Sequence, residues 1–136
     1  MKERISFIFA VSLLILTVLA CGQLRKNATR SSEPDFEISV EQLAKEFKEN
    51  GTAADFKYSG MTLAITGRVF NTLFESAVIF DTHDNRDGFA VQCNLDKDAA
   101  DPYKKIARGK EVTLVGVCRG RDGKSGPLII TQCILR

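Results

Sequence analysis

Met61-Thr62-Leu63-Ala64-Ile65-Thr66-Gly67-Arg68-Val69-Phe70 is the stretch on which the fold turns. Met61, Leu63, Ile65 and Val69 share one parity while Thr62, Thr66 and Arg68 share the other, the period of a strand with one buried face. Gly67 interrupts the run and predicts a bulge or bend. Downstream, Ala77–Asp81 and Gly88–Leu95 read as a second and a third strand. Asp81-Thr82-His83-Asp84-Asn85-Arg86-Asp87-Gly88 supplies the turn chemistry between them. Ala99–Arg108 suits a short helix with Pro102 in its first turn. Glu111–Arg119 and Pro127–Leu135 are the last two strands, joined by the loop from Gly120 to Gly126.

Upstream the period changes. Val40, Leu43, Ala44 and Phe47 recur at three- and four-residue spacing and predict a helix. Ser39 with Gln42 fits a capping box at its start, and Asn50-Gly51 is a stop signal. The order is helix, three strands, helix, two strands. This is an all-β class with flanking helices, the layout of a five-stranded OB-fold, a partly open Greek-key barrel. The predicted domain spans residues 38–136.

The matching residues Leu43, Asn50, Ala54, Lys57-Tyr58-Ser59-Gly60, Gly67-Arg68-Val69, Val91-Gln92-Cys93, Gly109-Lys110-Glu111-Val112-Thr113, Gly116-Val117-Cys118 and Cys133-Ile134 carry a resemblance. Over about residues 38–135 the chain resembles the bacterial OB-fold family nicknamed tRNA anti-like. The nickname records likeness of fold to tRNA-anticodon-binding domains, so the resemblance implies a fold and no activity.

The amino terminus reads differently. Met1-Lys2-Glu3-Arg4 precedes an apolar run from Ile5 to Ala20, too short for the roughly 20 residues of a spanning helix. Residues 1–20 have the layout of a signal peptide. Val18-Leu19-Ala20-Cys21 resembles the lipobox of bacterial lipoproteins, although Leu19 departs from the commoner small or β-branched residue. The resemblance implies cleavage before Cys21, diacylation of its sulfur and acylation (palmitate among the chains) of the new amino terminus. It also implies residence in the cell envelope. Gly22, where Asp would mark retention, implies the periplasmic side of the outer membrane if the source is Gram-negative. Residues 21–37 are then the lipidated cysteine and a polar, flexible tether, which as coil reaches roughly 20 Å.

Composition narrows the function. The 136 residues carry 19 Lys+Arg against 17 Asp+Glu, with 44% hydrophobic residues and no Trp. That is one domain, neither a polyelectrolyte nor a multispan membrane protein. Nucleic acid is disfavoured as a partner, because the charge is near neutral and a lipoprotein rarely meets it. The single His83 has no nucleophile beside it, and Asp81, Asp84 and Asp87 do not follow the common calcium-loop spacing. A solvent-exposed turn explains them. No catalytic residue, cofactor or metal is expected. Arg68, Phe70, Phe74, Arg119, Arg121 and Lys124 are the candidate ligand face, since OB barrels bind between the loops after strands one and four.

Cys93, Cys118 and Cys133 remain in a compartment that permits disulfides. The family pattern puts a cysteine in each of the last two strands, so the resemblance implies a Cys118–Cys133 bond. Register argues partly against it, because an Asp122-Gly123 turn would set Cys118 opposite Pro127. The rival is Cys93–Cys133, across strands that are parallel neighbours in such a barrel. The expected function is a non-enzymatic envelope binding module. It is held by the membrane through its anchor and contacts an envelope protein or a small ligand. The alternative is a structural or interaction subunit of an envelope complex, with no small ligand.

Overall fold

In the computed structural model the described residues are 33–74, 76–83, 89–97 and 105–136. Residues 33–136 form a compact unit with its own hydrophobic core. The signal peptide, Cys21 and most of the tether lie outside the described residues. So do Asp84–Gly88 and the first residues of the helix predicted over 99–108.

Six strands and two helices are described: β1 (Phe36–Ser39), α1 (Val40–Glu49), α2 (Gly51–Tyr58), β2 (Thr62–Leu73), β3 (Ala77–Phe80), β4 (Val91–Leu95), β5 (Glu111–Arg121) and β6 (Leu128–Leu135). The sheet runs β1-β2-β3-β4-β6-β5, and β2 also pairs β5. That last pairing closes a five-stranded barrel. β2 achieves it by serving two partners: Thr62 to Arg68 pair β5, and Val69 to Leu73 pair β3. The predicted five strands are all present, and Arg119 and Phe70 prove to be interior positions of longer strands.

β1 is the strand that sequence reading missed, and it corrects the tether boundary of 37. Phe36 to Ser39 pair in parallel with Leu63 to Thr66, on the same edge of β2 as β3 but along the stretch that β3 does not reach. Asp35 fixes the start, with its N–H on the Thr62 carbonyl at 2.8 Å and its carboxylate accepting the Thr62 N–H at 2.8 Å. Four residues with a short alternation, next to Pro34, are too few for a periodic signal.

The chain turns at once from β1 into α1. Ser39 caps it, accepting the Gln42 N–H at 3.2 Å, while Val40, Leu43, Ala44 and Phe47 are buried as predicted. The capping box is half made, because the Gln42 amide donates to Glu46 at 3.1 Å instead of reaching back. Gly67 has its explanation here. A Cβ on it would stand 2.5 Å from Val40 Cγ1 and 3.1 Å from Phe80 Cδ1. It is a close-approach glycine under the β1–α1 corner. The predicted bulge falls two residues later, between Val69 and Asn71.

Asn50 both ends α1 and starts a second, unpredicted helix. Its N–H reaches the Glu46 carbonyl at 3.0 Å, and its side-chain oxygen accepts the Ala53 N–H at 3.0 Å. α2 packs on β5, where Gly60 donates to the Cys118 carbonyl at 2.8 Å. The barrel interior is filled by Leu63, Ile65, Val69, Val78, Phe80, Val91, Leu114, Leu128 and Ile130, all essentially inaccessible. Between strands three and four of the barrel, only Lys105 carries helical turn geometry among the described residues.

The disulfide is Cys93–Cys133, with Cα atoms 5.9 Å apart, and Cys118 is a buried free thiol. The rival pairing therefore replaces Cys118–Cys133. The β5–β6 register, with Arg121 opposite Leu128 and Leu114 opposite Leu135, keeps Cys118 away from Cys133, and two irregularities adjust it locally. One lies between Cys118 and Gly120, where Gly120 has φ +84°. The other lies between Val115 and Val117, opposite Gln132 with φ +56°. Between them Cys118 comes opposite Ile130, one residue from the Thr131 that the flanking register would give it. On the other side of β6, Cys133 comes opposite Leu95 and so beside Cys93. Gly116 leaves the room: a Cβ there would lie 2.7 Å from Cys133 Sγ.

Candidate functional site

The register separates the six residues of the expected ligand face. β3 and β4 pair Phe80 with Val91, β4 and β6 pair Val91 with Leu128, and β6 and β5 pair Leu128 with Arg121. Arg121 and the following loop with Lys124 thus sit at the Phe80 end of the barrel. The β2–β3 turn with Phe74 sits at the other, where Ala77 pairs with Asn94. The two loops do not share a rim. A barrel staggers its strands, so loops that follow similar strand ends emerge at different heights.

Arg121 is also engaged. Its Nε donates to the Gly126 carbonyl at 3.3 Å and its guanidinium lies 5.0 Å from the Phe89 ring centre. Lys48 of α1 approaches the same ring at 5.7 Å. Phe89 is buried, and Thr82 hydroxyl holds its carbonyl at 3.2 Å. Arg121 therefore joins the β5–β6 loop to Phe89, the ring that Lys48 of α1 also meets. Lys124 is exposed in the turn. His83 is exposed with φ +60°, its N–H donating to the Asp81 carboxylate at 2.9 Å, the turn geometry expected of it.

Between the two ends lies an outer surface that sequence reading did not select. Gln92 and Asn94 alternate with buried Val91, Cys93 and Leu95, so both point outward, and the Gln92 amide donates to Asn94 at 2.8 Å. Ile79 pairs with Gln92, which pairs with Ile129, making a row across β3, β4 and β6. Thr131 follows on β6 and accepts from Arg119 Nε at 3.0 Å. These side chains are partly exposed and, apart from Arg119, uncharged. The parity of β4 was the available signal.

The titratable cluster lies elsewhere and serves the fold. Glu46 accepts Lys57 Nζ at 2.9 Å and the Tyr58 hydroxyl at 2.9 Å, and with Gln42 this joins α1 to α2. Hydrogen bonds from Lys57, then Gln42, hold the Glu46 carboxyl below its ordinary range. Bonds with Tyr58 and Glu46 raise Lys57, and burial raises Tyr58. Phe36 closes the assembly, edge-on to Tyr58 at 5.2 Å. Burial likewise pushes the Cys118 thiol up, which keeps it protonated and inert.

The closed barrel, its capping α1–α2 pair and these matched positions agree with one family, tRNA_anti-like, which matches residues 1–134. The chain belongs to that family. The Lys57-Tyr58-Ser59-Gly60 stretch that carried the resemblance forms the helix lock and the turn into β2. Among solved structures, a lipoprotein of Klebsiella pneumoniae subsp. pneumoniae, whose name proposes nucleic-acid binding, superposes with a TM-score of 0.58. It is 16% identical, and the match covers 74% of this chain and 90% of that one. At that identity the likeness establishes the fold alone. No curated protein matches.

Proposed function

We propose that this chain is a non-enzymatic, lipid-anchored binding module of the cell envelope, and that the outer face of β3, β4 and β6 is its contact surface. The observation that carries the reading is the Gln92–Asn94 amide pair between Ile79 and Ile129. A largely uncharged surface with amide donors and acceptors matches a polar, neutral ligand or a protein backbone. The likeness to a lipoprotein and the lipobox at Cys21 support an envelope anchor, and Gly22 supports the periplasmic side of the outer membrane if the source is Gram-negative. Single-stranded nucleic acid, which the neighbour's name suggests, is less well served. It calls for aromatic stacking platforms and cations, and this face offers one arginine and no ring.

A thermal-shift screen of the chain beginning at Gly22 tests the face against peptides, oligosaccharides and single-stranded oligonucleotides. One class should raise Tm, and the triple variant Gln92→Ala, Asn94→Ala, Arg119→Ala should abolish the shift while keeping the fold. A shift surviving in the variant moves the site elsewhere. If no class shifts Tm and a stoichiometric partner copurifies from crosslinked membranes, the chain is a subunit of an envelope complex. Fatty-acid labelling tests the anchor, since Cys21→Ser should lose both label and membrane fractionation.

A further inference from the structure

At the bulge between Val69 and Asn71, β2 leaves β5 for β3. Phe70 is left on the outside there, 41% exposed. The segment before β5 is bonded alongside it: Gly109 N–H donates to the Val69 carbonyl and Val69 N–H to the Lys110 carbonyl, both at 2.8 Å. Arg108 lies over the Phe70 ring at 5.5 Å. Arg68, Lys105, Arg108 and Lys110 are all exposed. Among the described residues no carboxylate comes within ion-pair distance of any of the four. Glu111, the register partner of Arg68, offsets only part of this charge. At the end of the same strand Phe74 stands 97% exposed.

Two residues of the sequence-predicted ligand face, Arg68 and Phe70, thus gather with cations from the 105–110 segment, while Phe74 stands further along, past the end of β2. We propose that this side of the barrel docks on an anionic lipid bilayer. Cations give attraction to acidic headgroups, worth about 1 kcal/mol per Lys or Arg near the surface. Exposed aromatics beside them supply the apolar contact of an interfacial site. Chain geometry agrees. The tether enters at Asp35 beside Thr62, the opposite end of β2 from Phe74. β2 has 12 residues and so extends at most about 40 Å. Residues 22–32 reach at most roughly 37 Å when extended. A lipid at Cys21 is therefore compatible with this side of the barrel facing the membrane. The anchor belongs to the function proposed above and adds only reach, so the docking surface is tested without it.

The test is flotation of the anchor-free chain beginning at Gly22. One set of vesicles is phosphatidylethanolamine with phosphatidylglycerol, the other phosphatidylcholine alone. The wild type should float with the anionic vesicles only. Arg68→Ser, Arg108→Ser, Lys110→Ser together should weaken this roughly a hundredfold, at about fivefold per charge. Phe74→Ser should weaken it about tenfold or more. Circular dichroism should show all variants folded, because the altered side chains are exposed. The Gln92, Asn94, Arg119 triple variant should float like the wild type. The proposal is overturned by absence of flotation with anionic vesicles, or by full binding in the charge variant. Displacement of the vesicles by a single-stranded oligonucleotide would equally overturn it, assigning the patch to nucleic acid.

Discussion

Reduction of Cys93–Cys133 is the most informative perturbation of this fold, because it changes one bond and no side chain. The cysteines are 40 residues apart in sequence and join β4 to β6, strands that pair in parallel. In the chain-entropy treatment a loop of that length stabilises the folded state by about 4 kcal/mol. A domain of this size has roughly 5–15 kcal/mol in total. Since 1 kcal/mol moves Tm by roughly 4–8 °C at about 100 residues, reduction should lower it by roughly 15–30 °C. The assay is a thermal melt of the chain beginning at Gly22, oxidised and after phosphine reduction. Non-reducing peptide mapping runs in parallel. Mapping should recover a peptide joining residues 93 and 133, with Cys118 alkylated only after unfolding, since it is inaccessible in the fold. A 118–133 peptide would refute the register described for β5 and β6. A Tm unchanged within a few degrees would refute the loop argument itself.

Three further outcomes are expected. Gly67→Ala should cost about 1–3 kcal/mol in urea melts, because its methyl group meets Val40 and Phe80. Val40→Ala in the same chain should recover part of that, and simple additivity of the two would contradict the close approach. Asn50→Ala should cost about 1 kcal/mol, through loss of the Ala53 cap; an unchanged midpoint would mean that α2 is held by packing alone. The Glu46 carboxyl is depressed in the fold, so its share of stability is present above the ordinary carboxylate range. That share is lost as pH falls through the lower folded value. Lys57 and Tyr58 are raised, so theirs is held below their ordinary ranges and lost as pH rises through the raised values. Urea midpoints measured from about pH 3 to pH 8 should show an acid-side slope that is reduced in Glu46→Gln.

What was legible in the sequence was whatever depends on near neighbours in the chain. The α1 face, its Ser39 start and Asn50 end follow from spacing and capping chemistry. The barrel strands follow from parity, and their order with the intervening segments points to a Greek-key barrel before any contact is known. The lipobox at Cys21 is equally local, and its lipid belongs to the proposed function. β1 and α2 were not legible. Each is short, with little periodicity of its own, and each exists because a distant partner receives it: β2 for Phe36–Ser39, β5 for the end of α2. Gly67 looked like a bulge for the same reason, since its true neighbour Val40 is 27 residues away in sequence.

Tertiary structure alone decided the pairing of the cysteines and the division of the ligand face. Both depend on register: Leu128 opposite Arg121 and Val91 opposite Leu128 fix the heights of the loops, and Cys133 opposite Leu95 brings it to Cys93. Equal spacing in sequence then no longer means equal height on the barrel. Arg121 was predicted to face a ligand and instead holds Phe89 together with Lys48, while Arg108 and Lys110, far from Phe70 in chain order, arrive beside it through backbone bonds to Val69. Side-chain type and parity are written in the chain. Which outward side chains become neighbours is set by how far each strand slides past the next when the barrel closes.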